Sequence, residues 1–156
     1  MQLRFITAAL VACVLGSSAA AIELSELDGS PVSSMQQLEG KVVLVDFWAS
    51  WCAPCRKSFP WLNTMQQRHA VDGLVVLAVN EDTERSEAER FLQHVPANFA
   101  VLYDRAGALA EQYQLMGMPS SFLIDKKGQI RYRHIGFKQA DIAGYETQIR
   151  QLLAEE

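Results

Sequence analysis

The sequence predicts one α/β domain built on a central mixed β-sheet with helices on both faces, and three observations lead to this prediction. Two nearly continuous apolar runs, residues 42–48 and 74–79, are typical of strands buried on both faces of a parallel sheet. A segment with helical apolar spacing separates them, which indicates a parallel crossover connection. Two further runs, 121–125 and 129–135, flank a Lys-Lys-Gly turn and predict an antiparallel hairpin.

Apolar residues that recur every three or four positions predict the helices around this sheet. The first helix lies between the two parallel strands and presents Phe59, Leu62 and Met65. A second helix follows the second strand, and Ser86 and Glu89 have the spacing of a capping box at its start. We expect its buried face to consist of Ala88, Phe91, Leu92 and Val95.

The rest of the chain continues the alternation of strands and helices. Residues 99–103 predict a short strand, after which Asp104 is placed to cap a helix that buries Leu109 and Tyr113. The last helix carries an apolar stripe of Ile142, Tyr145, Ile149 and Leu152. Before the first central strand, residues 22–27 are a candidate edge strand, and Gly29 and Gly40 mark turns.

Length and charge limit the classes of function. The chain has 156 residues and a formal charge of −4, which suits one compact domain. Mild acidity and the lack of a basic run argue against a nucleic-acid partner. We expect the protein to act as a monomer.

The N-terminus has the pattern of an export signal. A short basic start is followed by an apolar stretch over residues 5–15 and small residues over 17–21, so residues 1–21 are predicted to be a cleaved signal peptide and 22–156 the mature domain. An uncleaved membrane anchor is one alternative. Another is a lipoprotein signal that ends before Cys13, whose lipidation would anchor the protein. Either cleavage leaves one cysteine pair in an extracytoplasmic chain, where disulfides persist.

That pair, Cys52 and Cys55, lies at a predicted strand-to-helix junction. Main-chain amides and the helix dipole stabilise an anion at a helix N-terminus, so we expect the pKa of the Cys52 thiol to fall below the usual value. Cys52 is therefore the predicted nucleophile, and Cys55 the resolving thiol that closes a redox-active disulfide. Pro54 adds no charge near Cys52, which favours a reductant over a strong oxidant.

Other interpretations of the two cysteines are a structural disulfide and a zinc site. A ring this small constrains the unfolded chain weakly, so it would stabilise the fold little. Zinc would require two more ligands, and His69, His94 and His134 are scattered along the chain. We therefore expect neither a metal nor a cofactor.

Two further positions are candidates for the same site. Asp46 interrupts the first apolar strand, where burial should raise its pKa, and it is a candidate acceptor for the proton of Cys55. A hydrogen-bonded structural Asp is the alternative. Met118-Pro119 precedes the hairpin, where a cis bond would solve the entry of a proline into a strand, although the local sequence alone favours a trans bond. The backbone of Met118 would then be free to pair with an extended substrate segment.

These residues carry a resemblance to a known family. Residues 45–55, Val-Asp-Phe-Trp-Ala-Ser-Trp-Cys-Ala-Pro-Cys, resemble the active-site stretch of the thioredoxin superfamily. Pro60 matches its helix-kinking proline, residues 117–125 resemble its cis-proline loop, and Gly136 resembles the glycine after its hairpin. The lead-in from residue 27 to 41 and the helix and strand over 86–103 are similar to the N-terminal segment and central insertion of the TlpA/ResA-type group.

The resemblance implies a thioredoxin-like fold and a periplasmic protein-disulfide reductase that needs no cofactor. A membrane-embedded thiol carrier would supply electrons, and oxidised proteins such as apocytochrome c or copper-centre assembly proteins would be the substrates. The resemblance also implies a cis Met118-Pro119 bond. It supports Asp46, because thioredoxins themselves carry a buried Asp there, although many TlpA-like proteins do not.

The remaining site assignments follow from the same resemblance. Substrate contact is assigned to Trp51, Met118 and Pro119, and a supporting role to Trp48, Ala53 and Pro54. Some members use a Glu in the central insertion, for which both Glu81 and Glu84 are candidates. Two alternative functions stay open: an oxidant that donates its disulfide to folding proteins, and a copper-binding assembly module.

Overall fold

A computed structural model describes residues 35–156 of the chain. The predicted signal peptide, the lipidation site at Cys13 and the edge strand over 22–27 lie outside the described residues. Within residues 35–156, no helix combines the length and the apolar character needed to cross a membrane.

Within residues 35–156, five strands form one mixed sheet in the order β3-β2-β1-β4-β5. The two long apolar runs are the central strands, as predicted, and they pair in parallel, with Asp46 opposite Ala78. On the other side, β1 pairs antiparallel with β4, which places Asp46 opposite Ser121 and Phe47 opposite Ser120. The strands are β1 (Val42–Trp48), β2 (Leu74–Asn80), β3 (Ala100–Tyr103), β4 (Ser120–Ile124) and β5 (Ile130–Ile135).

Helices cover both faces of the sheet, which confirms the predicted architecture. Three of them contribute to one apolar cluster: α1 through Phe59, α2 through Phe91 and α4 through Ile149. The fourth, α3, buries Leu109 in a second cluster on the opposite face. The helices are α1 (Ala53–His69), α2 (Arg85–His94), α3 (Ala108–Gln112) and α4 (Ile142–Ala154).

Two predictions about helix starts have different outcomes. The capping box at Ser86 and Glu89 is wrong, because α2 already begins at Arg85 and its N-cap, Glu84, makes no side-chain capping bond. Asp104 does cap α3, since its carboxylate oxygens accept hydrogen bonds from the N–H groups of Ala108 and Ala110, both at 2.9 Å. A carboxylate at this end of a helix satisfies N–H groups that have no partner within the helix.

Candidate active site

The two cysteines lie where the central strand β1 turns into α1. Cys52 is the N-cap residue of the helix and Cys55 lies in its first turn. Their sulfur atoms are bonded, with the Cα atoms 5.3 Å apart. The N–H of Cys55 points at Cys52 Sγ with an N···S distance of 3.3 Å. The Cys52 sulfur thus occupies the position of a capping acceptor at the positive end of the α1 dipole.

The two sulfurs differ in their access to solvent. Cys52 is 6 % exposed and Cys55 is fully buried, whereas the neighbouring Trp51 is 70 % exposed. A disulfide exchange partner must approach along the S–S axis, so it can reach only the sulfur at the surface. Cys52 is the accessible sulfur of the pair.

A polar cluster fixes the loop between β1 and the cysteines. Asp82 is buried and accepts two hydrogen bonds from Ser50, one from its N–H and one from its hydroxyl, each at 2.9 Å. Asn80 donates a third bond to the same carboxylate at 2.8 Å. These residues were not predicted from the sequence. The polar run at residues 80–82, directly after an apolar strand, was the signal that could have identified them.

Asp46 is almost completely buried, with 1 % of its surface exposed. Side chains alternate along a strand, so Asp46 faces the same side of the sheet as Leu44 and Trp48, whose cluster contains both cysteines. Burial raises the pKa of Asp46 to about 7, and a hydrogen bond from Ser121 opposes that rise. The predicted raised pKa is therefore confirmed.

Ser121 is the partner that the sequence analysis missed. Its hydroxyl donates to Asp46 Oδ1 across the β1–β4 register, at an O···O distance of 2.6 Å. The second carboxylate oxygen, Oδ2, is buried and has no hydrogen-bond partner in the described part of the chain. The signal for Ser121 was a serine that is followed directly by the apolar run Phe122, Leu123 and Ile124 in the same strand.

The Met118-Pro119 bond is cis, as predicted. Ser120, the next residue, pairs with Phe47 near the end of β1, so the cis bond lies beside the start of the loop that leads to the cysteines. Met118 packs against the cluster that contains both cysteines. The N–H of Gly136 donates to the Pro119 carbonyl at 2.8 Å and ties this loop to the end of β5.

The residues predicted to support the site lie around the cysteines. Trp48 is fully buried and packs edge-on against Phe59, with ring centroids 4.9 Å apart, and against Phe91 at 4.8 Å. Ala53 and Pro54 are the first two residues of α1 and are exposed. Proline is suited to this position, because the first N–H groups of a helix have no partner within it.

The two glutamates of the central insertion have different environments. Glu84 is exposed ahead of α2. Glu81 is partly buried, and burial, the charge of Asp104 and a hydrogen bond with Asp104 raise its pKa to about 8. Its Oε1 atom is buried and unpaired within residues 35–156.

The three histidines each have a local partner. His69 Nδ1 lies 3.2 Å from Asp72, His94 Nδ1 lies 2.8 Å from the carbonyl of Arg90, and His134 Nε2 lies 2.7 Å from Gln148. Across residues 35–156, no three His, Cys, Asp or Glu side chains are grouped so as to hold a metal ion.

Comparison with known proteins places this geometry in a family. The Redoxin family matches residues 15–149. Thioredoxin-like protein YneN of Bacillus subtilis is 38 % identical over 124 residues, which are 78 % of this chain and 71 % of that protein. Thiol-disulfide oxidoreductase ResA of Geobacillus thermodenitrificans is 31 % identical over 120 residues, which are 77 % and 68 % of the two chains.

A solved structure agrees with both relatives. The crystal structure of a Chlorobium tepidum protein assigned as the thiol:disulfide interchange protein DsbE superposes with a TM-score of 0.75 at 46 % identity. The match covers 77 % of this chain and 85 % of that one. The chain therefore belongs to the Redoxin family, as a TlpA/ResA-like thiol–disulfide oxidoreductase of the thioredoxin superfamily whose cysteine pair is Cys52 and Cys55.

Proposed function

We propose that the protein is an exported reductase of disulfides in partner proteins and that Cys52 is its nucleophile. The observation that carries the proposal is the position of Cys52 Sγ as the N-cap acceptor of α1, in contact with the N–H of Cys55. In the reduced protein, the same N–H and the helix dipole would stabilise a thiolate on Cys52. The difference in exposure between the two sulfurs supports the same assignment.

The reaction consists of two exchange steps. The Cys52 thiolate attacks one sulfur of a substrate disulfide, which forms a mixed disulfide and releases the other substrate sulfur as a thiolate. Cys55 then loses its proton and attacks Cys52 Sγ, which breaks the mixed disulfide, releases the second substrate thiolate and forms the Cys52–Cys55 bond. Two electrons pass from the protein to the substrate, and a thiol donor must restore them.

Asp46 is the proposed acceptor of the Cys55 proton. It is buried on the α1 side of the sheet, and a pKa of about 7 lets it be either charged or neutral near neutral pH. A base whose pKa is near the working pH can both take up and return a proton. Its unpaired Oδ2 atom supports this role, since that oxygen is free to accept the proton.

Substrate contact is proposed for Trp51, Met118 and Pro119. The Trp51 ring is exposed beside Cys52 and offers an apolar surface. The backbone at Met118 lies at the cis bond just before β4, where a substrate segment in extended form would pair with it. The substrates would be oxidised proteins of the cell envelope, with apocytochrome c and copper-centre assembly proteins as the leading classes.

Export and reducing direction are parts of the same proposal. The signal-like residues 1–21, or a lipid on Cys13, would place the domain 22–156 in the periplasm, where a membrane thiol carrier would re-reduce it. The uncharged Ala53-Pro54 pair leaves Cys52 without a cationic neighbour between the two cysteines, which favours a reductant. A Cys52–Cys55 reduction potential near that of thioredoxin, about −270 mV, would support this direction, and one near −120 mV would overturn it.

An insulin-reduction assay tests the proposed chemistry. Cys52→Ser should reduce insulin no faster than a protein-free control, because no thiolate can start the exchange. Cys55→Ser should accumulate mixed disulfides with insulin that migrate as larger species on non-reducing gels. Trapping by Cys52→Ser in place of Cys55→Ser would reverse the two roles, and unchanged turnover by both variants would refute the proposal.

A further inference from the structure

A groove next to the Cys52–Cys55 pair carries more positive than negative charge, although the whole chain has a formal charge of −4. It lies between the start of α1 and the outer side of α2 and has a volume of about 360 Å³. We call it the cationic groove. Its lining includes Trp51, Arg56, Glu87, Arg90, Phe91 and His94.

The positive charge of the groove is only weakly neutralised by acidic side chains of the described residues. Arg56 forms no ion pair with any residue in 35–156, and its guanidinium lies over the Phe91 ring, 4.8 Å from the centroid. Arg90 approaches Glu87 at only 3.7 Å, with both side chains largely exposed. An exposed pair at that distance neutralises little charge.

The position of Arg56 is fixed by the core beneath it. Phe91 is 4 % exposed and packs against Phe59, with ring centroids 5.1 Å apart. A cation held over an aromatic ring is restrained without losing its hydrogen-bonding N–H groups. Arg56 therefore presents a guanidinium in a defined place, one residue after Cys55 and close to the exposed Trp51.

We propose that the cationic groove binds an acidic side chain of the substrate protein near its reacting cysteine, and so selects substrates with Asp or Glu in that position. The inference rests on the proposed function, because it assigns a specificity to the same exchange site. Trp51, which precedes Cys52, forms part of the groove lining. A substrate segment whose disulfide reacts with Cys52 therefore passes over the cationic groove. Complementary charges at such a site raise the association rate more than they lower the dissociation rate.

Paired peptides provide the test. Two disulfide-bonded peptides are identical except that one carries two Glu and the other two Gln beside the cysteine. The wild-type protein should reduce the Glu peptide with a kcat/KM about five- to tenfold higher at low salt, and 0.5 M NaCl should remove most of that preference, because salt screens exposed charges. Arg56→Gln with Arg90→Gln should reduce the preference to below about twofold.

Lys57→Gln is the matched control, since Lys57 is exposed on α1 next to Arg56 but does not line the groove. It should keep the wild-type preference. Equal kcat/KM for both peptides, or the same loss in Lys57→Gln as in the arginine double variant, would overturn the inference. Continued reduction of the Gln peptide in that case would leave the proposed reductase activity intact.

A second measurement does not depend on turnover. A redox-inert version of each peptide, with serine in place of cysteine, is titrated into the oxidised protein while the Nε–Hε signals of Arg56 and Arg90 are followed by NMR. The Glu peptide should shift both signals and the Gln peptide should not. Equal shifts with both peptides, or none with the Glu peptide, would refute an acidic contact in the groove.

Discussion

Two aspartates on neighbouring strands show how the two ends of the sheet differ. Asp46 on β1 and Asp125, directly after β4, are both buried, at 1 % and 7 % exposure. Among the described residues, Asp46 receives one hydrogen bond, from Ser121, and burial raises its pKa to about 7. Burial also acts to raise the pKa of Asp125, but hydrogen bonds from Gln129, Arg131 and Lys127 outweigh it and lower that pKa.

The difference lies in the number of donors and not in the residue type. Asp125 closes the turn between β4 and β5, where the N–H groups of Lys127 and Gln129 converge on Oδ1 at 3.0 and 2.9 Å and Arg131 reaches Oδ2 at 3.1 Å. Asp46 faces an apolar layer that holds the cysteines. One buried carboxylate therefore stabilises a turn as an anion. The other has a pKa near neutral pH, so it can take up and return a proton, as the proposed acceptor must.

Asp46→Asn should give the largest effect on the free energy of unfolding. The pKa of Asp46 is higher in the folded state, about 7, than its ordinary value of 3.8, so the folded state loses stability as the pH rises from 3.8 to about 7. Asparagine does not ionise and avoids this loss. The free energy of unfolding of the variant should exceed that of the wild type by on the order of 4 kcal/mol at pH 8. The difference should vanish near pH 4.

Urea unfolding of both oxidised proteins at pH 4 and pH 8 measures this prediction, and the intact disulfide keeps cysteine ionisation out of the comparison. A difference in stability that is the same at both pH values would show that ionisation of Asp46 is not its source. Such a result would also remove the physical basis for the assigned proton acceptor.

Asp125→Ala should act in the opposite direction. The lowered pKa means that Asp125 stabilises the fold above its ordinary value of 3.8 and that this contribution is lost as the pH falls. Alanine leaves the N–H groups of Lys127 and Gln129 without their acceptor, which should cost about 2 kcal/mol at pH 7. Insulin-reductase activity should be unchanged, because the turn is remote from the cysteines.

Asp125→Asn is the matched control for the turn. It keeps an oxygen that can accept from both N–H groups, so its loss in urea unfolding should be smaller than that of Asp125→Ala. If Asp125→Ala proves as stable as the wild type at pH 7, the contrast between the two aspartates does not hold.

The features that could be predicted from the sequence are those that depend on local patterns. Apolar periodicity predicted the strands and helices, and the role of Cys52 and Cys55 followed from their spacing and position. The cis Met118-Pro119 bond followed from the family resemblance, since the local sequence alone favoured a trans bond. The raised pKa of Asp46 was predictable, because a lone carboxyl group in an apolar strand has few donors nearby.

The sequence did not reveal which polar side chains, distant along the chain, become hydrogen-bond partners when the strands pair. Ser121 meets Asp46 across 75 positions of chain and Ser50 meets Asp82 across 32. No short-range pattern encodes such contacts, since strand pairing alone decides which polar side chains become neighbours. The cationic groove has the same origin, because it combines Arg56 from one helix with Arg90 from another.

Ser121→Ala gives the smallest and most specific test of the contrast. It removes the one hydrogen bond that favours the charged form of Asp46, so burial acts unopposed and the pKa of Asp46 should rise above 7. A hydrogen bond to a charged group contributes roughly 1.5–3 kcal/mol, so a rise of about one to two pKa units is expected. The NMR titration of the Asp46 carboxyl carbon in the oxidised protein measures it directly.

The proposed role of Asp46 adds a kinetic readout to that titration. Release of the mixed disulfide, measured as single-turnover kinetics, should have its midpoint shifted to higher pH by the same amount in Ser121→Ala. Ser121→Thr retains the hydroxyl and should restore the wild-type midpoint, which a merely structural contribution of this position would not require. A titration midpoint that stays at the wild-type value in Ser121→Ala would mean that the 2.6 Å contact does not set the ionisation of Asp46. A shifted pKa with an unshifted kinetic midpoint would leave the electrostatics intact but assign the proton of Cys55 to another acceptor.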